Sequence, residues 1–177
     1  MRETPEELAA LQRLMDDSFA RGSRHLGAIM TPPRRLSAEH LVADLPSPAV
    51  LNIATVTARG EPRISAVDGH FISGHWYFTT DVSSPKARQL RARTSVSASY
   101  TPKDGYGVFC HGRAVELAPG PERQMLIDHF VTTYGQSPEA WGDIYYARID
   151  ADWLVGFAMT PDEEAEIARQ RAERENQ

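Results

Sequence analysis

The sequence predicts a mainly β protein with peripheral helices, its strands closed into a barrel. Two observations carry that reading. From Val50 onward, short β-branched or alternating segments follow one another through tight turns, and only one small helix interrupts them before Glu122. No internal repeat or low-complexity segment competes with it.

The elements follow in order. Thr4–Glu7 is a capping box with Pro5 at the first helical position. Leu8, Leu11, Leu14, Met15 and Phe19 then recur at helical spacing, so a helix runs to about Ala20. Arg21 to Pro48 carries Gly22, Gly27, Pro32, Pro33, Pro46 and Pro48 and reads as loop. Within it a short helix over Ser37–Leu45 is expected, capped by Ser37, with Leu41, Val42 and Leu45 on one face. This arm, residues 1–48, packs on the body or on a partner chain and is not a separate domain.

Val50–Ala58 is the first strand, Arg59-Gly60-Glu61-Pro62 its turn, and Arg63–Val67 the return. Gly69 is expected to bend or bulge the strand ahead of His70–Ile72. Ser73-Gly74 closes a tight hairpin into His75–Thr80. A short helix opened by Ser84 and Pro85 leads to Ser95–Tyr100. After a turn at Pro102–Gly105 a long strand, Tyr106–Leu117, is kinked at Gly112 and stopped by Pro119-Gly120-Pro121. Met125, Ile127, Phe130 and Val131 make Glu122–Tyr134 helical. Tyr145–Ile149 and Trp153–Met159 read as two last strands, which completes a barrel over residues 49–160. Thr160-Pro161-Asp162-Glu163 is a second capping box. It opens a C-terminal helix, residues 161–177, with acids first and bases later, as the helix dipole favours. Together these make one domain.

Bulk composition narrows the function. The 177 residues suffice to bury roughly 70 % of the unfolded surface in one core. A net charge of −5 argues against a general nucleic-acid binder. No apolar run approaches the ~20 residues of a membrane span, and the N-terminal MRETPEEL is acidic and amphipathic, unlike a signal peptide. The single cysteine, Cys110, excludes an internal disulfide and fits a reducing cytoplasm. A soluble cytoplasmic protein is expected.

The chemistry concentrates at the helix after Thr80. Ser84 is a good N-cap and Pro85 suits the first helical position, so unpaired backbone N–H groups are expected to point out of this turn. Lys86, one of two lysines in a chain with seventeen arginines, adds an ammonium to the positive end of the dipole. A phosphate suits that combination, with Arg63 as a second cation. Arg88 and Arg91 are expected to be solvated or ion-paired, and Arg93 sits at the helix end. His70, His75 and Tyr77 lie near in sequence but read as ordinary strand residues. The six histidines show no zinc spacing, so no metal is expected. Cys110 and His111, adjacent on a strand, face opposite sides and form no dyad. Trp76, Trp141 and Trp153 with Tyr145, Tyr146 and Phe157 read as core or subunit interface before ligand pocket.

The run Pro62–Asp68 (PRISAVD), then Trp76–Lys86 (WYFTTDVSSPK) and Leu90–Ser97, resembles the flavin-binding split-barrel family, also called pyridoxamine 5′-phosphate oxidase-like. The likeness covers about Val50 to Leu117. It implies a split β-barrel and a homodimer with two cofactor pockets at the subunit interface. Arg63, Ile64, Ser65 and Ala66 fall on the family's first element, and Thr79 and Thr80 on its second; the likeness implies that the backbone and hydroxyls of these strands hold an isoalloxazine-type ring, while Arg63, Ser84 and Lys86 hold the phosphate tail. The family's middle arginine is Pro85 here. FMN is the cofactor implied first, with the deazaflavin coenzyme F-420 and then haem as alternatives. The implied activity is hydride transfer to or from a small organic substrate, with a non-catalytic binder on the same barrel as the other reading. No histidine follows His129, so pyridoxamine phosphate itself is not the expected substrate.

Overall fold

Alternation along each strand decides which face becomes core. In β1 (Ala49–Val56), Ala49, Leu51, Ile53 and Thr55 are buried while Val50, Asn52, Ala54 and Val56 are not. That is the two-residue period of a strand with one covered face. The computed structural model describes residues 3–175. Met1 and Arg2 of the acidic N-terminal stretch, and Asn176 and Gln177 of the expected C-terminal helix, lie outside the described residues. The remaining strands are β2 (Pro62–Ile72), β3 (His75–Asp81), β4 (Ser95–Tyr100), β5 (Tyr106–Glu116) and β6 (Ile144–Ala158). They close into a six-stranded antiparallel barrel in the order β1-β2-β3-β6-β5-β4, with β4 returning to β1. This is the split-barrel architecture. Leu51, Ile53, Trp76, Phe78, Val108 and Leu154 fill the interior, each contributing roughly 1.5–3 kcal/mol by leaving water.

The helices plug or cover this barrel. In α1 (Pro5–Ala20) the capping box is formed in both directions, and the helix lies along β6. There Ser18 Oγ accepts the Leu154 amide at 2.9 Å and the Ser18 carbonyl accepts Trp153 Nε1 at 2.9 Å. Residues 21–48 are more ordered than a loop. They hold α2 (Arg24–Ile29), a 3-10 turn over Pro32–Arg34 and α3 (Ala38–Asp44). The flanking glycines hid the cap that starts α2, the Ser23 hydroxyl on the Leu26 amide. Leu41 of α3 is fully buried.

Two strand expectations are corrected. Gly69 neither bends nor bulges β2, which runs through it in register with β1 and β3. Glycine is required there because a Cβ would stand 2.7 Å from Leu51 Cβ. The two expected last strands are one, β6. The polar stretch Asp150–Asp152, which reads as a break, is a β-bulge opposite His111 and Gly112, where the register shifts. The kink expected at Gly112 is therefore present, and it belongs to both strands.

After β3, α4 (Pro85–Ala92) returns the chain to β4. The next helix, α5 (Pro121–Tyr134), covers part of the outer barrel surface, where Leu126 and Phe130 meet Ile72, Tyr77 and Tyr146 in a second apolar cluster. The last helix, α6 (Pro161–Glu175), opens on the expected capping box and is tied by the ion pairs Arg34–Glu163, Lys103–Glu164 and Arg171–Asp104. No helix among the described residues is long and apolar enough to cross a membrane.

Candidate functional site

The turn between β3 and α4 is built by its own short side chains. Asp81 Oδ1 accepts the Ser83 amide at 2.7 Å, and the Asp81 carbonyl accepts the Ser84 amide at 3.0 Å. Ser84 Oγ caps the Ala87 amide at 3.2 Å and lies 3.3 Å from Thr80 Oγ1. The Val82 amide bonds to the Asp143 carbonyl, and Pro85 has no N–H. The expected set of free amides therefore narrows to one, that of Lys86. Its ammonium likewise has no hydrogen-bond or ion-pair partner among the described residues. The bonds from Ser83 hold the Asp81 carboxyl below its ordinary pKa, so a carboxylate that the sequence reading passed over stands at the edge of this turn.

The other cations of the corner are engaged. Arg63 pairs with Glu61 at 2.8 Å, and Arg91 pairs with Glu116 at 2.6 Å while lying over the Tyr145 ring. Arg88 donates to the Ser83 carbonyl. Arg63 still borders α4: its cross-strand partner Thr55 contacts Gln89 at 2.5 Å, and Gln89 is one turn along the helix from Lys86. Arg63, Thr80, Ser84 and Lys86 thus gather at one end of the barrel.

The rest of the expected site divides between faces. Ser65 shares the face of Arg63, whereas Ile64 and Ala66 point outward. Thr79, next to Thr80, faces the opposite way, opposite Tyr146. Ile64 and Ala66 begin two rows that cross the open outer surface of the sheet. One runs Ile64, Ala54, Ser97, His111, Trp153; the other runs Ala66, Asn52, Ser99, Phe109, Val155. The middle of each row is mostly small side chains; the first row ends on the aromatic pair His111 and Trp153, the second on Phe109 and the buried Val155. His111 is held there by stacking on Trp153, centroids 4.8 Å apart, and by a 2.8 Å bond between Nδ1 and Ser97 Oγ. Ile64 is 76% exposed and Val50, on the same face, 65%. Cys110 faces the core, and burial pushes its thiol up to about 12.

Of the other residues near the corner in sequence, His70 is fully buried under α5. Tyr77 donates to Glu122 at 2.9 Å, and Glu122 also accepts from Arg148 at 2.6 Å. Burial and this carboxylate raise the Tyr77 hydroxyl above its ordinary range. Trp76, Tyr145 and Tyr146 are core, while Trp141 stands on the surface. No group of three or more His, Cys, Asp or Glu among the described residues is placed to hold a metal.

The six-stranded barrel with its peripheral helices is the architecture of a known family. The Pyridoxamine 5′-phosphate oxidase family description matches residues 37–163, and the chain belongs to that family. No curated protein matches it by sequence. Solved structures share the fold. A conserved hypothetical protein, Rv2991 from Mycobacterium tuberculosis, is 21% identical over 71% of this chain and 87% of its own, with a TM-score of 0.56. An FAD-binding protein from Mesorhizobium loti is 21% identical over 72% of this chain and 97% of its own, TM-score 0.56. An F420 reductase is 19% identical over 63% of this chain and 93% of its own, TM-score 0.52. At these identities the likeness is one of fold.

Proposed function

We propose that this chain is an oxidoreductase that holds FMN, or the deazaflavin coenzyme F-420, by its phosphate at the α4 corner, and that it acts on a small organic substrate as a homodimer. The observation that carries the reading is Lys86, whose ammonium and backbone N–H both lack partners among the described residues, in the first turn of α4 beside the hydroxyls of Ser84 and Thr80. That donor set fits a phosphate ester: an unpaired cation, a free amide at the positive helix end, and the one hydroxyl proton of the Thr80–Ser84 pair that their mutual bond leaves over. Arg63 stands at the start of the adjoining strand. The small side chains Ala54, Ala66, Ser97 and Ser99 offer a flat bed for a planar ring, and a second copy covers Ile64 and Val50. Once bound, the ring supplies hydride chemistry; the protein supplies orientation and a dry surface.

One observation favours a second reading, a non-catalytic flavin, deazaflavin or haem carrier. Asp81, the carboxylate nearest the corner in sequence, is tied to Ser83, whose bonds lower its pKa and make it a weaker base. The test is the absorption spectrum of the purified protein together with thermal shifts on adding FMN, FAD, F-420 or haem. A cofactor present at 100 times its Kd adds about 2.7 kcal/mol of stability. FMN or F-420 is expected to raise the melting temperature. A colourless protein that responds to none of them would overturn the reading, and a haem-only response would replace it with the carrier.

A further inference from the structure

We propose a second ligand site, separate from the α4 corner and independent of the cofactor reading: the cavity between α1, the arm and β6, which takes a small monocarboxylic acid with an apolar body. The cavity measures ≈ 400 Å³, within the range of small-molecule sites. Its walls are soft and apolar, formed by Met15, Phe19, Met30, Leu36 and Val155, and one cation, Arg35, reaches into it.

Arg35 is what makes the cavity selective. Its backbone is pinned, since it bridges Phe157 of β6 and the next amide, that of Leu36, bonds to the Gly156 carbonyl at 3.0 Å. Its guanidinium is pinned as well. Nε donates to the Met30 carbonyl at 3.0 Å, and the guanidinium carbon stands over the Phe19 ring, 3.3 Å from the centroid. Stacking occupies the face of the guanidinium and leaves its Nη edge uncommitted. Arg34, Arg91 and Arg148 each have a carboxylate within 2.6 Å, whereas Arg35 has none among the described residues. An oriented, counterion-free guanidinium edge over an apolar floor is the arrangement that grips a planar carboxylate through two parallel hydrogen bonds.

The rim sets the limit on charge. Asp16 also borders the cavity, with Oδ1 accepting the Gln12 amide at 2.9 Å, while Gln12 Oε1 accepts the Ala38 amide. A second negative charge on the ligand would meet Asp16, so the site suits a monoanion whose carboxylate lies at the Arg35 end. Val155, in the floor, also ends the row that starts at Ala66. The cavity therefore adjoins the open sheet face from its far edge.

The probes are 2-naphthoate and its neutral analogue 2-naphthalenemethanol, titrated into the full-length protein by calorimetry. Naphthoate is expected to bind the wild type. Arg35→Gln is expected to weaken it about tenfold or more, with the alcohol nearly unaffected. Arg35→Lys, which keeps the charge and loses the fork, is expected to fall between, and Asp16→Asn to tighten naphthoate by about threefold. Lys86→Ala is expected to leave naphthoate binding unchanged, which separates this site from the cofactor corner. Because Arg35→Gln also removes a contact of the arm, nuclear Overhauser effects from naphthoate to the Met15 and Met30 methyls in the wild type provide a reading that needs no variant. Absence of naphthoate binding at millimolar concentration, equal binding to Arg35→Gln, or contacts elsewhere would overturn the proposal.

Discussion

His70 Nδ1 lies 2.9 Å from His129 Nε2, the two rings meeting edge to face beneath α5. Ser47 Oγ sits 3.1 Å from the first nitrogen and 3.2 Å from the second. On the other side of His70, Nε2 is 3.2 Å from the Tyr134 hydroxyl, which is itself 3.2 Å from Asp68 Oδ2. Tyr134 donates its one O–H to Asp68, so its oxygen accepts a hydrogen bond from the N–H at His70 Nε2. That fixes the tautomer: His70 Nδ1 carries a lone pair and accepts from the His129 and Ser47 side. The pair is built for two neutral rings.

Stability should therefore fall on acidification. Burial, reinforced by His129, lowers His70 from 6.5 to about 4, and burial also lowers His129. Between those values the unfolded chain binds protons that the folded chain refuses, so stability is lost as pH drops from 6.5 toward about 4. The loss is on the order of 3 kcal/mol for His70. Urea midpoints at neutral pH and at pH about 5 measure the first part of it, roughly 2 kcal/mol. His70→Gln should start lower and decline less steeply; a wild-type midpoint that holds steady over that span would contradict the assignment.

Lys86→Ala should weaken FMN or F-420 binding by roughly ten- to a hundredfold, the worth of one charge-assisted contact. Arg63→Ala should follow in the same direction. Arg91→Ala should leave cofactor affinity alone, because its guanidinium is committed to Glu116, and should change stability little, since that pair is exposed. Fluorescence titration separates these cases, and unchanged affinity in Lys86→Ala would remove the phosphate from this corner.

Ile64→Arg should convert a dimer to monomers without unfolding them. Ile64 stands 76% exposed on the flat outer face, where a substitution on the lone chain costs only about 0.5 kcal/mol. Val131→Arg, on the exposed side of α5, should leave the dimer intact. Sedimentation equilibrium reads both, and a wild type that sediments as a monomer would end the homodimer proposal.

Gly112→Ala should be far more damaging than Gly60→Ala. A Cβ at Gly112 would stand 2.1 Å from the Asp150 carbonyl oxygen, a backbone atom that cannot step aside, at a cost of about 3 kcal/mol or more. Gly60 has φ +81 with nothing within 4 Å of the added carbon, so only the backbone preference is lost, about 1 kcal/mol. Thermal melts ranking the two in reverse would refute this.

The strands were legible in the sequence because alternation and turn residues are local signals. Ser95–Tyr100 matches its strand at both ends, and the capping boxes at Thr4 and Thr160 are formed as written. What was not legible depends on distant pairing. Asp150–Asp152 looks like a strand break until His111 and Gly112 are set opposite it. The cross-strand rows from Ile64 and Ala66 exist only once β4 closes onto β1. At the candidate site the residue types were readable, but their commitments were not. Arg63 and Lys86 are both read as cations of the site, yet Glu61 engages one while the other has no partner among the described residues. Arg35 carried a faint signal, the second arginine of the Pro32-Pro33-Arg34-Arg35 run. Which arginine would find a carboxylate was set by Glu163, far along the chain.

The apolar cluster under α5 is distinct from the barrel interior, joined to it through the sheet and not through shared side chains. Two such clusters are expected to open separately, with the amides of α5 exchanging with solvent sooner than those of the strands it rests on.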